Sequence, residues 1–249
     1  MKAYHSKNWQ ILSVTGVDRI DFLHRLLTQD IKSLSTQQGA WSCLLTPKSK
    51  LIAFMFVQIR DDQVLLFMDD RVVKNVKTTL SMYAITEDVD IQPFQAPVYI
   101  VFDKNRIVVS ETVEDDLTSL TFEAFEVDRV KRGFALFDTD YQDPIPLEVP
   151  FMHQAISFTK GCYVGQETIA RLYARGMHVN RKLLQVKAQG LIAPSDPIYA
   201  NGDEVGVITT AVNDGDVLLG LAWVHRNAFE LDLTAGSRNI PIQVITEKG

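Results

Sequence analysis

Phe158-Thr159-Lys160-Gly161-Cys162-Tyr163-Val164-Gly165-Gln166-Glu167 sets a thiol between two glycines, directly ahead of a run of good helix formers. From Gln166 to Ala174 the residues favour helix, Glu167 puts an acid in the first turn, and Gly176 stands where a cap glycine ends a helix. Cys162 therefore falls just before a helix start. A thiol there feels the positive end of the helix dipole and the neighbouring Lys160, both of which favour thiolate, while Gly161 and Gly165 let backbone or ligand come close. The competing reading is a small buried hydrophobe, the usual fate of a free cysteine.

Upstream of this loop, Pro144, Pro146 and Pro150 keep the chain irregular, and Ile145-Pro146-Leu147-Glu148 holds a carboxylate on a stiff segment. Around and after the loop, Lys160, Arg171, Arg175, Arg181, Lys182 and Lys187 share a stretch whose only acid is Glu167. This is either a solvated face or a subsite for an anion, a ligand carboxylate or the phosphates of RNA. The whole chain, at a formal net charge of -6, is a poor general coat for nucleic acid.

The 249 residues, 46% of them hydrophobic, suffice for one large or a few small domains. The apolar runs Leu51–Val57 and Val217–Val224 fall well short of the roughly 20 residues that span a bilayer. The N-terminus lacks the look of a secretory or transit segment, so a cytoplasmic location is expected. The two cysteines, Cys43 and Cys162, form no C-x-x-C pair and suggest neither a disulfide nor a metal site. Cys43, within Trp41-Ser42-Cys43-Leu44-Leu45, reads as strand core.

Periodicity predicts a helix begun by Asp18 with Ile20, Leu23, Leu26 and Leu27 on one face, ending near Asp30. A meander follows over Ala40–Thr46, Leu51–Arg60 and Gln63–Met68, then a helix over Asp70–Tyr83 with Val72, Val73, Val76, Leu80 and Tyr83 as its stripe. A second strand set is expected at Pro97–Phe102, Arg106–Ser110 and Leu120–Val127, with Asp103-Lys104-Asn105 as a turn and Glu111–Asp116 as an exposed acidic loop. Beyond Gly190 the turn-rich sequence reads as a small all-β module, with Val205–Val212 and Val217–Val224 as a hairpin.

The run Lys-Gly-Cys-Tyr-x-Gly-Gln-Glu at 160–167, followed by Ile169-x-Arg171 and Arg175-Gly176, resembles the signature of the YgfZ family of folate-binding proteins, relatives of the glycine cleavage T-protein, GcvT. Val14-Thr15-Gly16-Val17-Asp18, leading to Phe22-Leu23 and Thr28-Gln29-Asp30, is similar to the family's opening motif. Leu45-Thr46-Pro47-Lys48 is similar to its first hairpin turn, where the family usually has glycine at the place of Ser49. Pro146-Leu147-Glu148 is similar to its Pro-x-Glu, with Leu147 where glutamine is common.

The resemblance implies an α+β, GcvT-like folate-binding fold of two intertwined α+β lobes and a C-terminal small β-barrel, at 1–95, 96–184 and 185–249. It implies tetrahydrofolate or a derivative as ligand, with Glu148 taking the paired donors of the pterin edge. Lys160, Arg171 and Arg175 are the candidates for the anionic glutamate tail, and no metal site is implied. The resemblance implies Cys162 as the key functional thiol, which could attack a one-carbon unit, form a mixed disulfide, or contact a cluster held by a partner. The implied role is an accessory protein supporting iron-sulfur enzymes, including tRNA-modifying ones, with iron-sulfur client or assembly proteins as partners, tRNA reached indirectly, and no membrane. Two cysteines cannot supply the full thiolate set of an ordinary cluster. The alternative is a folate-dependent aminomethyltransferase resembling the T-protein.

Overall fold

The computed structural model describes residues 1–104, 106–114 and 116–245, so Asn105 of the expected turn and Asp115 of the acidic loop lie outside the described residues. The chain divides into two compact units, Met1–Thr121 with Gln154–Arg171, and Phe122–His153 with Leu172–Gly249.

The first unit runs β1 (Lys2–Ser6), β2 (Trp9–Thr15), α1 (Arg19–Leu26), β3 (Gly39–Leu45), β4 (Leu51–Ile59), β5 (Val64–Asp69), α2 (Asp70–Tyr83), β6 (Asp90–Phe94), β7 (Val98–Asp103), β8 (Arg106–Ser110) and β9 (Thr118–Ser119). These strands form a five-stranded sheet in the order β3-β4-β5-β2-β6 and a four-stranded sheet in the order β8-β7-β1-β9. The first two strands thus enter different sheets: β1 pairs antiparallel with β7, Lys2 opposite Phe102, and β2 pairs with β5 and β6. The meander reads as expected because β3, β4 and β5 carry near-continuous apolar runs, with β5 buried throughout. Trp41 of β3 stacks on Phe54 at 4.6 Å and donates its indole N–H to Ile107 O of β8 at 2.8 Å. Cys43 is fully buried, as its place in a core strand predicted.

Helix α2 covers Asp70–Tyr83 and buries Val72, Val76 and Leu80, with Asp69 accepting from Arg71 N at its start. Helix α1 buries Phe22, Leu23 and Leu26 but stops at Leu26, short of the expected end near Asp30. Asp18 occupies its N-cap position without capping the helix; its carboxylate accepts from Asp88 N at 2.8 Å instead.

The second unit opens with a correction. Leu120–Val127, expected as a strand, gives way to helix α3 (Phe122–Lys131), whose buried residues are Phe125, Arg129 and Val130. An irregular stretch follows, including a 3-10 turn at Pro146–Glu148. Helix α4 (Gln166–Ala174) comes next in the chain, followed by Gly176 at φ 79°. Then β10 (Arg181–Ala188), β11 (Pro197–Ala200), β12 (Asp203–Asp214), β13 (Val217–His225), β14 (Leu233–Ala235) and β15 (Ile240–Val244) close a barrel in the order β10-β13-β12-β11-β14-β15. Val186, Ile198, Ile208, Val224 and Ala235 fill its interior. The expected hairpin is β12–β13, turning between Asp214 and Val217.

Candidate functional site

Two separated sequence motifs converge on the cysteine loop inside the first unit. Thr28, which follows α1, donates its hydroxyl to Ala155 O at 2.6 Å and accepts from Cys43 N at 2.8 Å, while its carbonyl takes Ser157 N at 3.0 Å. Gln29 donates its amide to Gln154 O at 3.0 Å. Thr28-Gln29 therefore tie the returning segment to β3 and the end of α1. Lys160 completes the joint: its ammonium donates to the carbonyls of His24, Leu27 (2.7 Å) and Gln29 (3.0 Å). These include carbonyls left open where α1 ends, which a cation suits. Burial holds Lys160 down at about 8, with Asp30 pulling the other way. Burial, and next Lys160, also lower His24.

On the far side of the thiol the chain is gripped again. Tyr163 is buried, which pushes its phenol above the ordinary range, and its N–H donates to Gln166 Oε1 at 3.2 Å. Gly165 adopts φ 80°, and a Cβ there would lie 2.4 Å from Thr46 O of the β3–β4 turn. Only glycine fits that contact. Between these anchors Gly161 and Cys162 are exposed. The result is a solvent-facing thiol on a short segment fixed at both ends. Burial pushes the other cysteine, Cys43, up to about 12, so it is chemically quiet.

Glu148 belongs to the second unit. It is 7% exposed and sits on the 3-10 turn, where its Oε2 accepts from Ile145 N at 3.0 Å. Its Oε1 lies 3.6 Å from Arg181 Nε, an ion-pair distance too long for a direct hydrogen bond. A carboxylate has about four lone-pair directions, so both oxygens keep acceptor capacity. Arg181 is itself fixed, its guanidinium 4.3 Å from the centre of the Trp223 ring. Trp223 in turn donates to Asp140 O at 2.7 Å.

Behind that wall lies a buried network the sequence did not reveal. Asp140 accepts from Arg129 and Leu136 N on one oxygen, both at 2.9 Å, and from Thr209 (2.7 Å) and Thr210 (2.6 Å) on the other. Consecutive strand residues normally point to opposite faces; a register shift in β12 between Ile208 and Thr210 brings both hydroxyls to one carboxylate. Arg181 and this network are the residues that sequence reasoning missed as site-shaping. Arg181 was visible only as one cation of a basic stretch. Arg171 and Arg175, the expected tail contacts, are exposed, and Arg175 lies one residue past α4.

No family model matches the chain. It is 27% identical over 242 residues to an uncharacterized protein of Haemophilus influenzae, covering 87% of this chain and 85% of that protein. It is 25% identical to the tRNA-modifying protein YgfZ of Vibrio vulnificus over 231 residues, covering 76% and 70% of the two chains. The YgfZ of Yersinia enterocolitica matches at 23% identity over 92% of this chain and 84% of its own. Among solved structures, the aminomethyltransferase T of the Bartonella henselae glycine cleavage system superposes with a TM-score of 0.81 at 13% identity, covering 99% of this chain and 85% of that one.

The chain is similar to the YgfZ proteins at 23–25% identity. Its fold is that of the T-protein, mixed α+β with the closed six-stranded barrel at the C-terminal end. Against the motifs it resembles, the chain departs from the usual pattern at Ser49 and Leu147. Leu147 is fully buried. Ser49 has φ 62°, a left-handed conformation natural to glycine, so the unusual residue stands where the backbone asks for the usual one. No helix among the described residues is long and apolar enough to cross a membrane.

Proposed function

We infer that this chain is a reduced-folate-binding accessory protein of the cytoplasm that supports iron-sulfur enzymes, among them tRNA-modifying ones, with Cys162 as its functional thiol. The observation that carries the ligand is Glu148: a buried carboxylate on a proline-stiffened turn, braced by Ile145 N and faced by Arg181. Such a group is pre-organised to accept the paired donors of a pterin edge. A bound reduced folate supplies one-carbon chemistry; the chain's own residues bind and orient it. Arg171 and Arg175 are proposed for the anionic tail. Lys160, its ammonium turned to backbone carbonyls, serves by holding the loop. The exposure of Cys162 suits reaction with a partner macromolecule, an iron-sulfur client or assembly protein, with tRNA reached through that client. The transferase alternative draws on the fold alone, and one fold hosts many chemistries.

The test is anaerobic calorimetric titration of tetrahydrofolate and its formyl derivative into wild type, Glu148→Gln and Cys162→Ala. Saturable binding lost in Glu148→Gln and kept in Cys162→Ala is the expected result. No wild-type binding at sub-millimolar folate removes the ligand from this reading, and turnover of an aminomethylated lipoyl carrier would favour the transferase.

A further inference from the structure

We propose that Ser49 is a positioning residue for Cys162, its hydroxyl locking the β3–β4 turn to the cysteine loop. Ser49 is fully buried, and its Oγ donates to Gly165 O at 2.6 Å across 116 residues of sequence. The turn that presents it is itself tightly made: Ser49 N donates to Thr46 O at 2.9 Å, Thr46 N to Lys50 O at 2.8 Å, and Lys50 N to Thr46 Oγ1 at 3.1 Å. Against this turn Gly165 packs so closely that a Cβ would meet Thr46 O at 2.4 Å, Leu45 Cβ at 3.0 Å and Ser49 Cα at 3.4 Å.

Strain and bond at Ser49 are two sides of one feature. A serine at φ 62° is less comfortable than glycine, and glycine at this place would relieve the backbone while deleting the hydroxyl that donates to Gly165 O. Residues held in left-handed conformations persist when their surroundings over-determine them, and here the surroundings include the loop that bears the thiol. Lys160 fixes that loop before Cys162; Ser49 fixes it after. With both ends held, Cys162 presents its sulfur in one place on the surface, the arrangement a thiol needs to meet a reacting group on a large partner rather than a small molecule that can adjust to it.

The test uses the intact chain and two variants that separate the bond from the strain. Ser49→Ala removes the hydroxyl and keeps the strain; Ser49→Gly removes both. A nitroxide label on Cys162 reads the mobility of the segment directly, because buried Cys43 does not label, and amide exchange at Tyr163 and Gln166 reads loop opening. The expected result is a narrower nitroxide spectrum and about fivefold faster exchange at those amides in both variants. Thermal stability should fall in Ser49→Ala and return to near wild type in Ser49→Gly. A Ser49→Gly protein whose label and exchange match wild type would overturn the proposal, leaving Ser49 a turn residue only. None of these readouts involves folate, so this inference and the ligand reading fail separately.

Discussion

Arg129 and Asp140, both buried, face each other at 2.9 Å, and every donor of the guanidinium is used. Its remaining bonds run to Glu126 at 2.6 and 2.7 Å, Thr210 at 3.1 Å and Phe134 O at 3.2 Å. Burial works against the charge, but Glu126 and Asp140 outweigh it and hold the guanidinium above its ordinary value. Removing one member of such a pair strands the other, whereas a network with all partners present is tolerated. Arg129→Met is therefore expected to lower stability to urea by about 3–5 kcal/mol. Arg129→Lys should also destabilise, because one ammonium cannot replace a planar fork of five donors. A loss below about 1 kcal/mol in Arg129→Met would show that the network contributes little.

The two thiols should titrate as two populations. Cys162 is exposed and Cys43 is fully buried, with its thiol pushed up to about 12. A neutral disulfide reagent at pH 8 is expected to modify one equivalent per native chain and two after denaturation, with the native equivalent absent in Cys162→Ala. Two fast equivalents in the native protein would contradict the burial of Cys43.

Glu148 has a structural duty that can be separated from its proposed ligand duty. Glu148→Ala leaves Ile145 N without its side-chain acceptor and Arg181 without its counter-charge, and should cost about 1–2 kcal/mol. Glu148→Gln keeps an acceptor oxygen, so its stability should stay within about 0.5 kcal/mol of wild type, the partly exposed ion pair contributing little. Loss of folate binding in a stable Glu148→Gln protein would then report on recognition, not unfolding. Matched losses of stability in the two variants would break that separation.

The Arg25–Glu87 pair should make stability depend on acid. The hydrogen bond from Arg25, at 2.5 Å, holds the Glu87 carboxyl down at about 2 from its usual 4.5. A carboxylate lowered on folding stabilises the native state above the unfolded value, and that contribution fades as pH falls from about 4.5 through about 2. Glu87→Gln should therefore lose stability relative to wild type near neutrality and converge with it in acid, followed as urea midpoints from pH 7 to 2.5. A difference that stays constant across that range would rule out the ionic origin.

Local pattern made much of this chain readable. The stripe Val72, Val73, Val76, Leu80 and Tyr83 marked α2 with its correct ends, although Val73 is half-buried and Tyr83 exposed, and Asn213-Asp214-Gly215-Asp216 marked the hairpin of the barrel, because in both cases neighbouring residues determine the element. Helix α3 misled for a physical reason: its buried face includes Arg129, so the apolar spacing that marks a helix is broken by a charge, and Leu120–Val127 mimics strand alternation. The cysteine motif was legible as a motif. Its supports were not, since Thr28, Ser49 and the carbonyls under Lys160 reach it across more than a hundred residues. Ser49 could be seen to depart from the usual glycine, but only the geometry at Gly165 shows what its hydroxyl does. The same holds for Arg181, one cation among several until Glu148 and Trp223 are placed around it.

The pairing of β1 with β7 and the return of Gln154–Arg171 to the first unit bear on the order of assembly. In a chain emerging from the ribosome, β1 has no β7 partner until Val98–Phe102 have been made, and the first unit stays without its thiol loop until the 122–153 stretch of the other unit has already appeared. Long-range closures of this kind slow folding and expose unpaired edges. A nascent chain halted anywhere before residue 171 lacks part of the first unit, so translation rate, and not only sequence, governs how long the unfinished protein needs shielding.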